Sequence, residues 1–353
     1  MSDGISIRAG RAAIEIIRDE GLDLSRVKVL AGASGAAKFL VLTGIDRALM
    51  TLFRERTDPL YLIGTSIGAF RMAAYCQKDP IGALGELERQ YIAQRYPTKP
   101  TRQEITAESW RIIDAYIDDG DIEQMLHHPF MRIHFLSNKS KGLVKSENRL
   151  LQGLGLALAV FVNRWNRNGL AWFFERALFC APGQLPPFAA MNQFPLHRFI
   201  LNRSNFKTAL LSSGSIPFAM EGVANIDGIP GVYRDGGILD YHLDIPFLPD
   251  EDKLVLYPHF YPHITPGWLD KRLHRRPDPD HMKNVVLVAP SRSFVDSLPL
   301  GHIPDRKDFE TFFQKDDDRI AYWHQVVDQN ERLGDEFVEV IESGRIRQKV
   351  QPL

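Results

Sequence analysis

Apolar residues in the first third of the chain come in short runs, each closed by small or helix-breaking residues. Positions 11–20 have helical spacing and stop at Gly21, a residue suited to the position just past a helix end. Val27 to Ala31 is a short apolar run before a turn of small residues, which predicts a buried strand. Phe39 to Phe53 reads as a helix. Pro59 breaks the chain, Leu60 to Ile63 predict the next strand, and Ile67 to Cys76 predict a helix free of proline. Strand, turn and helix, repeated, is the order of a parallel sheet with helices on its faces.

Further strands are predicted at Met131–Leu136, Arg198–Leu201, Lys253–Tyr257 and Val285–Ala289, and residues 81–130 are mainly helical in pattern. Leu150 to Ala181 holds two unusually apolar segments, Gly153–Val162 and Leu170–Phe179, separated by polar residues 163–169. Both read either as buried core helices or as the lining of an acyl channel that dips into a bilayer surface, with Arg164 and Arg167 beside anionic heads. Residues 258–283 carry five prolines and predict a long loop, and Phe309–Ile346 predicts terminal, exposed, charged helices. No linker interrupts this order. The expectation is one α/β domain over 1–353, in three α/β/α layers on a mainly parallel sheet. Its core spans about 25–290, with a helical apolar insertion at about 143–185 and a C-terminal helical extension at about 305–353.

Composition narrows the classes. Of 353 residues, 44% are hydrophobic and 25% charged, ordinary values for a globular protein. A net charge of −1 supplies no field for nucleic acid. The two cysteines, Cys76 and Cys180, form neither a metal-type pair nor a disulfide framework, and a reducing compartment is the simpler expectation. Met1 to Gly10 has no apolar run of the secretory kind. Leu150 to Val162 falls short of the roughly 18 apolar residues a spanning helix needs. These features predict a cytoplasmic protein, free or resting on a membrane surface.

The candidate chemistry begins at Gly64-Thr65-Ser66-Ile67-Gly68. A serine between a strand and a helix sits on a strained turn, and its small neighbours Gly64 and Gly68 avoid clashes there. The turn presents the hydroxyl at a helix N-terminus, where free N–H groups favour negative charge. The same five residues also fit a plain glycine turn. A serine needs a base, and Arg234-Asp235-Gly236-Gly237 offers a carboxylate beside two glycines, although Asp-Gly is also an ordinary turn. Leu210 to Pro217 is a small-residue segment between the two.

Together these residues resemble the patatin-like phospholipase family, whose members pair a GxSxG serine with an Asp in a D-G-G/A motif and use no histidine. The resemblance spans residues 27 to 240. It implies a patatin-like fold, Ser66 as nucleophile and Asp235 as base. It also implies an oxyanion loop that aligns with Ser34-Gly35-Ala36-Ala37-Lys38-Phe39. Gly35 and Ala36 would then donate N–H groups to the oxyanion. Lys38 would hold the loop or attract an anionic head, if it is not simply a solvated helix residue. The family loop reads G-G-G-x-R/K-G. Ala36 and Phe39 stand in place of glycine and cannot take glycine-only conformations, which predicts a reshaped hole.

The implied activity is hydrolysis of carboxylic esters of lipids, phospholipid or lysophospholipid first, through an acyl-enzyme, with no cofactor and no metal. Two alternatives stand beside it. One is a carboxylesterase or thioesterase on the same pair, and the other a non-catalytic lipid-binding protein with a degenerate oxyanion loop. A Ser-His-Asp triad would draw on His242, His259, His263 or His302, none in a supporting motif. His127-His128 and the His259/His263 spacing lack a companion ligand set for metal. Gly32-Ala33-Ser34-Gly35 lacks the ending of a phosphate loop. Nothing in the pattern indicates an oligomeric state.

Overall fold

The computed structural model of the chain describes residues 4–226 and 228–353. Positions 1–3, which open the N-terminal segment weighed above as a leader, lie outside the described residues. One sheet holds the strands β1 (Ile5–Ala9), β2 (Val27–Gly32), β3 (Leu60–Thr65), β4 (Met131–Ser140), β5 (Phe174–Cys180) and β6 (Leu196–Ile200). It continues with β7 (Val223–Ile226), β8 (Ile229–Asp235), β9 (Leu254–Pro258), β10 (Val285–Pro290) and β11 (Gln351–Pro352). Their order is β11-β1-β10-β9-β2-β3-β4-β5-β6, with β8 also on β4 and β7 on β8.

Among the described residues, six of the ten strand pairings are parallel. Every residue of β9 and β10 is buried, as central strands covered on both faces must be. The fold is therefore α/β in three layers on a mainly parallel sheet, in the order the apolar runs predict. Cys76 and Cys180 are free and buried. Among the described residues no helix is long and apolar enough to cross a membrane.

Three parts depart from expectation. Leu170–Phe179 is not a second apolar helix. The chain turns through Arg167–Trp172 and enters β5, which pairs antiparallel with β4. A short apolar run cannot be told from a helix by periodicity, and pairing with β4 decides it. The insertion expected at about 143–185 is thus helical mainly over Arg149–Trp165. The core also starts well before residue 25, because β1 lies beside β10. The C-terminal stretch, expected to be exposed, is chiefly one 27-residue helix, Asp316–Glu342, with a buried face. Trp323, Leu333 and Phe337 sit on that face, and Trp323 Nε1 donates to Asp308 at 2.8 Å.

The route of β4 explains where the candidate site residues meet. β3 runs parallel to β4 and stops with Thr65 opposite Leu136. β8 runs antiparallel to β4 and stops with Asp235 opposite Ser137. The two strands therefore approach each other head-on, and their C-terminal ends converge at adjacent rungs of β4. Ser66 follows one end and Asp235 forms the other.

Candidate active site

Ser66 caps the Ile67–Tyr75 helix with φ 52° and ψ −130°. A serine held at positive φ stores strain of roughly 1–3 kcal/mol, which the surrounding packing must sustain. That packing demands the flanking glycines. A Cβ on Gly68 would lie 2.1 Å from the Gly32 carbonyl oxygen, and one on Gly64 would lie 2.5 Å from the Ala69 nitrogen. The elbow is thereby pressed against the end of β2.

Ser66 Oγ donates to Asp235 Oδ2 at 2.7 Å. The other carboxylate oxygen, Oδ1, accepts the Gly237 N–H at 2.7 Å. Asn138 in β4 donates its side-chain amide to the backbone carbonyls of Asp235 (2.7 Å) and Gly236 (3.0 Å). Gly236 and Gly237 have no room for side chains: a Cβ would lie 2.2 Å from the Leu136 carbonyl oxygen at the first and 2.5 Å from Ser34 Oγ at the second. The turn after β8 thus packs onto β4 and onto the loop after β2 at once.

Burial dominates the electrostatics. Ser66 is 5% exposed and Asp235 6%. Burial lifts the Asp235 carboxyl to about 6, against the opposing effects of the Ser66 hydroxyl, the Gly237 N–H, Arg306 and Lys271. Two surface hollows, of about 420 Å³ beside Lys99 and Glu147 and about 500 Å³ beside Arg95 and Asp317, lie away from this pair.

The loop expected to form the oxyanion hole is brought to the same place. Ser34 touches the Gly237 turn, and its N–H donates to the Tyr241 carbonyl at 3.0 Å. Gly35 lies under the Phe260 ring, whose Cε1 would be 2.5 Å from a Cβ. Ala36 corrects one expectation: it does take a glycine-like conformation, at φ 52°. An alanine in the left-handed region costs about 1–2 kcal/mol, which a well-packed loop sustains. Phe39 adopts no such conformation. It is buried in the core with its ring edge-on to Tyr91. Among the described residues, neither the Gly35 nor the Ala36 N–H donates to another protein group.

Lys38 is not a solvated helix residue. It is buried, its Nζ pairs with the Asp305 carboxylate, and it lies 6.0 Å from the Phe260 ring centroid. Burial lowers its pKa to about 8, and Arg306 acts in the same sense. The Asp308 carboxylate works in the opposite direction. Lys38 therefore ties the loop to the segment around 305 and does not reach the serine by a hydrogen bond.

Among the described residues no imidazole hydrogen-bonds Ser66. His242 and His259 are buried with ring centroids 4.2 Å apart, and their Nδ1 atoms accept the N–H groups of Thr265 and Tyr261. Burial keeps both neutral, His259 falling to about 3. His263 stacks on Tyr261, and the His302 Nδ1 sits 2.9 Å from the Ile303 carbonyl. His127 is exposed, and no metal-binding cluster of three ligands occurs among the described residues.

Two residues escaped sequence reasoning. Asn138 carries no motif. Ser213 lay within a quoted segment, yet its role was invisible there: its Oγ accepts the Ser66 N–H at 2.9 Å and donates to the Leu136 carbonyl at 2.7 Å. Ser213→Ala leaves a buried N–H and a buried carbonyl short of a partner. The expected loss is about 1–3 kcal/mol of stability, read by urea denaturation. An unchanged midpoint would mean that Ser213 does not hold the elbow.

No family model matches the chain, and no curated protein matches it. Among solved structures, it is similar to VipD from Legionella pneumophila, with 14% identity, a TM-score of 0.33, and coverage of 68% of this chain and 51% of that one. It is also similar to human GIVD cytosolic phospholipase A2, with 11% identity, a TM-score of 0.34, and coverage of 99% and 67%. The chain thus spans about half the length of VipD.

Proposed function

We propose that this chain is a serine hydrolase that cleaves carboxylic esters of lipids, with Ser66 as nucleophile and Asp235 as its base. The observation that carries this reading is the 2.7 Å hydrogen bond from the Ser66 hydroxyl to Asp235 Oδ2 at the tip of a strained strand-to-helix turn. Ser66 Oγ attacks the ester carbonyl as its proton passes to Asp235. The tetrahedral oxyanion is stabilised by the Gly35 and Ala36 N–H groups. The alcohol leaves with the proton and an acyl group remains on Ser66. Water, deprotonated by Asp235, then releases the acid. A carboxylate with a pKa near neutrality is a better base than an ordinary one, which suits this task. Phospholipid or lysophospholipid is the first-choice substrate, with the protein in peripheral contact with a lipid surface.

The proposed base sets the pH dependence. Asp235 must be ionised, so kcat/KM on an ester substrate rises with pH through about 6 and levels off above it. A profile that is flat across that range would remove Asp235 from the role. Substrate class is tested by a lipid panel read by mass spectrometry, wild type against Ser66→Ala. Turnover of short soluble esters with no lipid product would favour a carboxylesterase instead.

A further inference from the structure

We infer that the outward face of the Arg149–Trp165 helix is a lipid-surface anchor that seats the protein on an anionic bilayer. The inward face of this helix packs through Leu156 and Ala159. The opposite face carries Leu150, Leu154, Leu158, Phe161 and Trp165, one apolar stripe at helical spacing. Leu150 is 84% exposed, Phe161 63% and Trp165 78%, and Trp172 just beyond is 73% exposed. Soluble monomers seldom leave a continuous apolar patch of this kind in water.

The charges around the stripe identify the occupant. Between Glu147 and Glu175 there is no acidic residue. Lys145, Arg149 and Arg164 are exposed, and among the described residues none of the three forms an ion pair. An apolar stripe flanked by unpaired cations and tryptophans is the composition that lies in a headgroup layer, the cations meeting lipid phosphates. A second copy of the chain would bring these same cations to its own interface without neutralising them. Arg167, by contrast, is turned inward onto Asp270 and takes no part.

The helix is fixed relative to the serine. Arg167 donates to Asp270 Oδ2 at 3.0 Å and to the Leu239 carbonyl at 2.6 Å, just past the Asp235 turn. At the other end Gln152 accepts the Phe218 N–H at 3.1 Å, close to Ser215, whose carbonyl accepts the Asp235 N–H. A bilayer under the stripe is therefore held beside the strands that carry the pair.

The test uses the full chain with Ser66→Ala, so that no lipid is consumed and the outcome is independent of the hydrolytic reading. It is sedimented with phosphatidylcholine vesicles containing phosphatidylserine, and with pure phosphatidylcholine vesicles. The protein is expected to pellet with the first, less with the second, and less with rising salt. Phe161→Ser with Trp165→Ser should weaken binding by about tenfold or more. Arg149→Glu with Arg164→Glu should erase the preference for phosphatidylserine. Melting curves establish that each variant is folded. As a readout free of that requirement, brominated lipid should quench the tryptophan fluorescence of the parent protein. Protein that stays in the supernatant and is not quenched would overturn the inference. So would undiminished binding by the serine pair, or a solution dimer that this pair breaks while vesicle binding persists.

Discussion

Asp235→Asn is expected to abolish hydrolysis and, in the same variant, to raise the melting temperature at neutral pH. The folded chain holds a proton on Asp235 more tightly than the unfolded chain does, because burial lifts this pKa from 3.8 to about 6. The stability this group contributes is complete below pH 3.8 and is lost as pH rises through about 6. Keeping the carboxylate ionised at neutral pH thus costs roughly 3 kcal/mol. An amide of the same shape removes that cost and still accepts the Gly237 N–H. It cannot take the serine proton, so turnover should fall by about four orders of magnitude or more. Ser66→Ala should lose activity equally and lose labelling by a fluorophosphonate. An Asp235→Asn enzyme that still turns over would end the proposed mechanism. One that is both inactive and less stable would refute the account of the buried charge.

The second large effect is expected at Arg176. Its guanidinium makes a two-pronged pair with Asp240, Nε to Oδ2 at 2.9 Å and Nη2 to Oδ1 at 2.7 Å, and both side chains are 1% exposed. The Asp240 carbonyl also accepts the Thr65 hydroxyl, one residue before the serine. Arg176→Met would leave Asp240 buried without its cation, at a cost of about 3–5 kcal/mol. Urea denaturation should report that loss. Hydrogen exchange should show residues 235–240 opening first, since Arg176 clamps them to β5. A variant with wild-type stability would mean that water replaces the guanidinium.

The parts of the fold visible in the sequence were those with local signals. The runs at β2, β3, β9 and β10 are mainly apolar and flanked by breakers, so period and punctuation agree. β5 reads as a helix because its apolar run is short and carries no period of its own, and the buried Arg176 within it is explained only by distant partners, Asp240 and the Phe194 ring. The terminal helix reads as exposed because its charges are dense, although its buried positions from Arg319 to Val340 recur at three- and four-residue steps and carry the signal of a one-sided helix. At the site, Ser66 and Asp235 announced themselves through neighbouring glycines whose space is filled by backbone at Gly64, Gly68 and Gly236 and by the Ser34 side chain at Gly237. Lys38 gave no hint of its partner, because Asp305 lies 267 positions away. That Ala36 adopts positive φ was hidden for a related reason: the loop is held by distant groups, the Phe260 ring over Gly35 and the Tyr241 carbonyl on the Ser34 N–H.

The Thr43–Leu52 helix, which directly follows the loop carrying Gly35 and Ala36, meets the Asp316–Glu342 helix backbone to backbone. A Cβ on Gly44 would stand 2.3 Å from the Asn330 carbonyl oxygen, and one on Gly334 would stand 2.3 Å from the Gly44 carbonyl oxygen. Asn330 Oδ1 also accepts the Gly44 N–H at 2.6 Å. The Asp316–Glu342 helix therefore acts as a splint for the loop that carries Gly35 and Ala36, nearly three hundred positions earlier. Removing it would leave the serine and its carboxylate on their strands but free the loop proposed to face them. For anyone engineering this protein, changes near residues 330–334 belong with changes to the reacting centre.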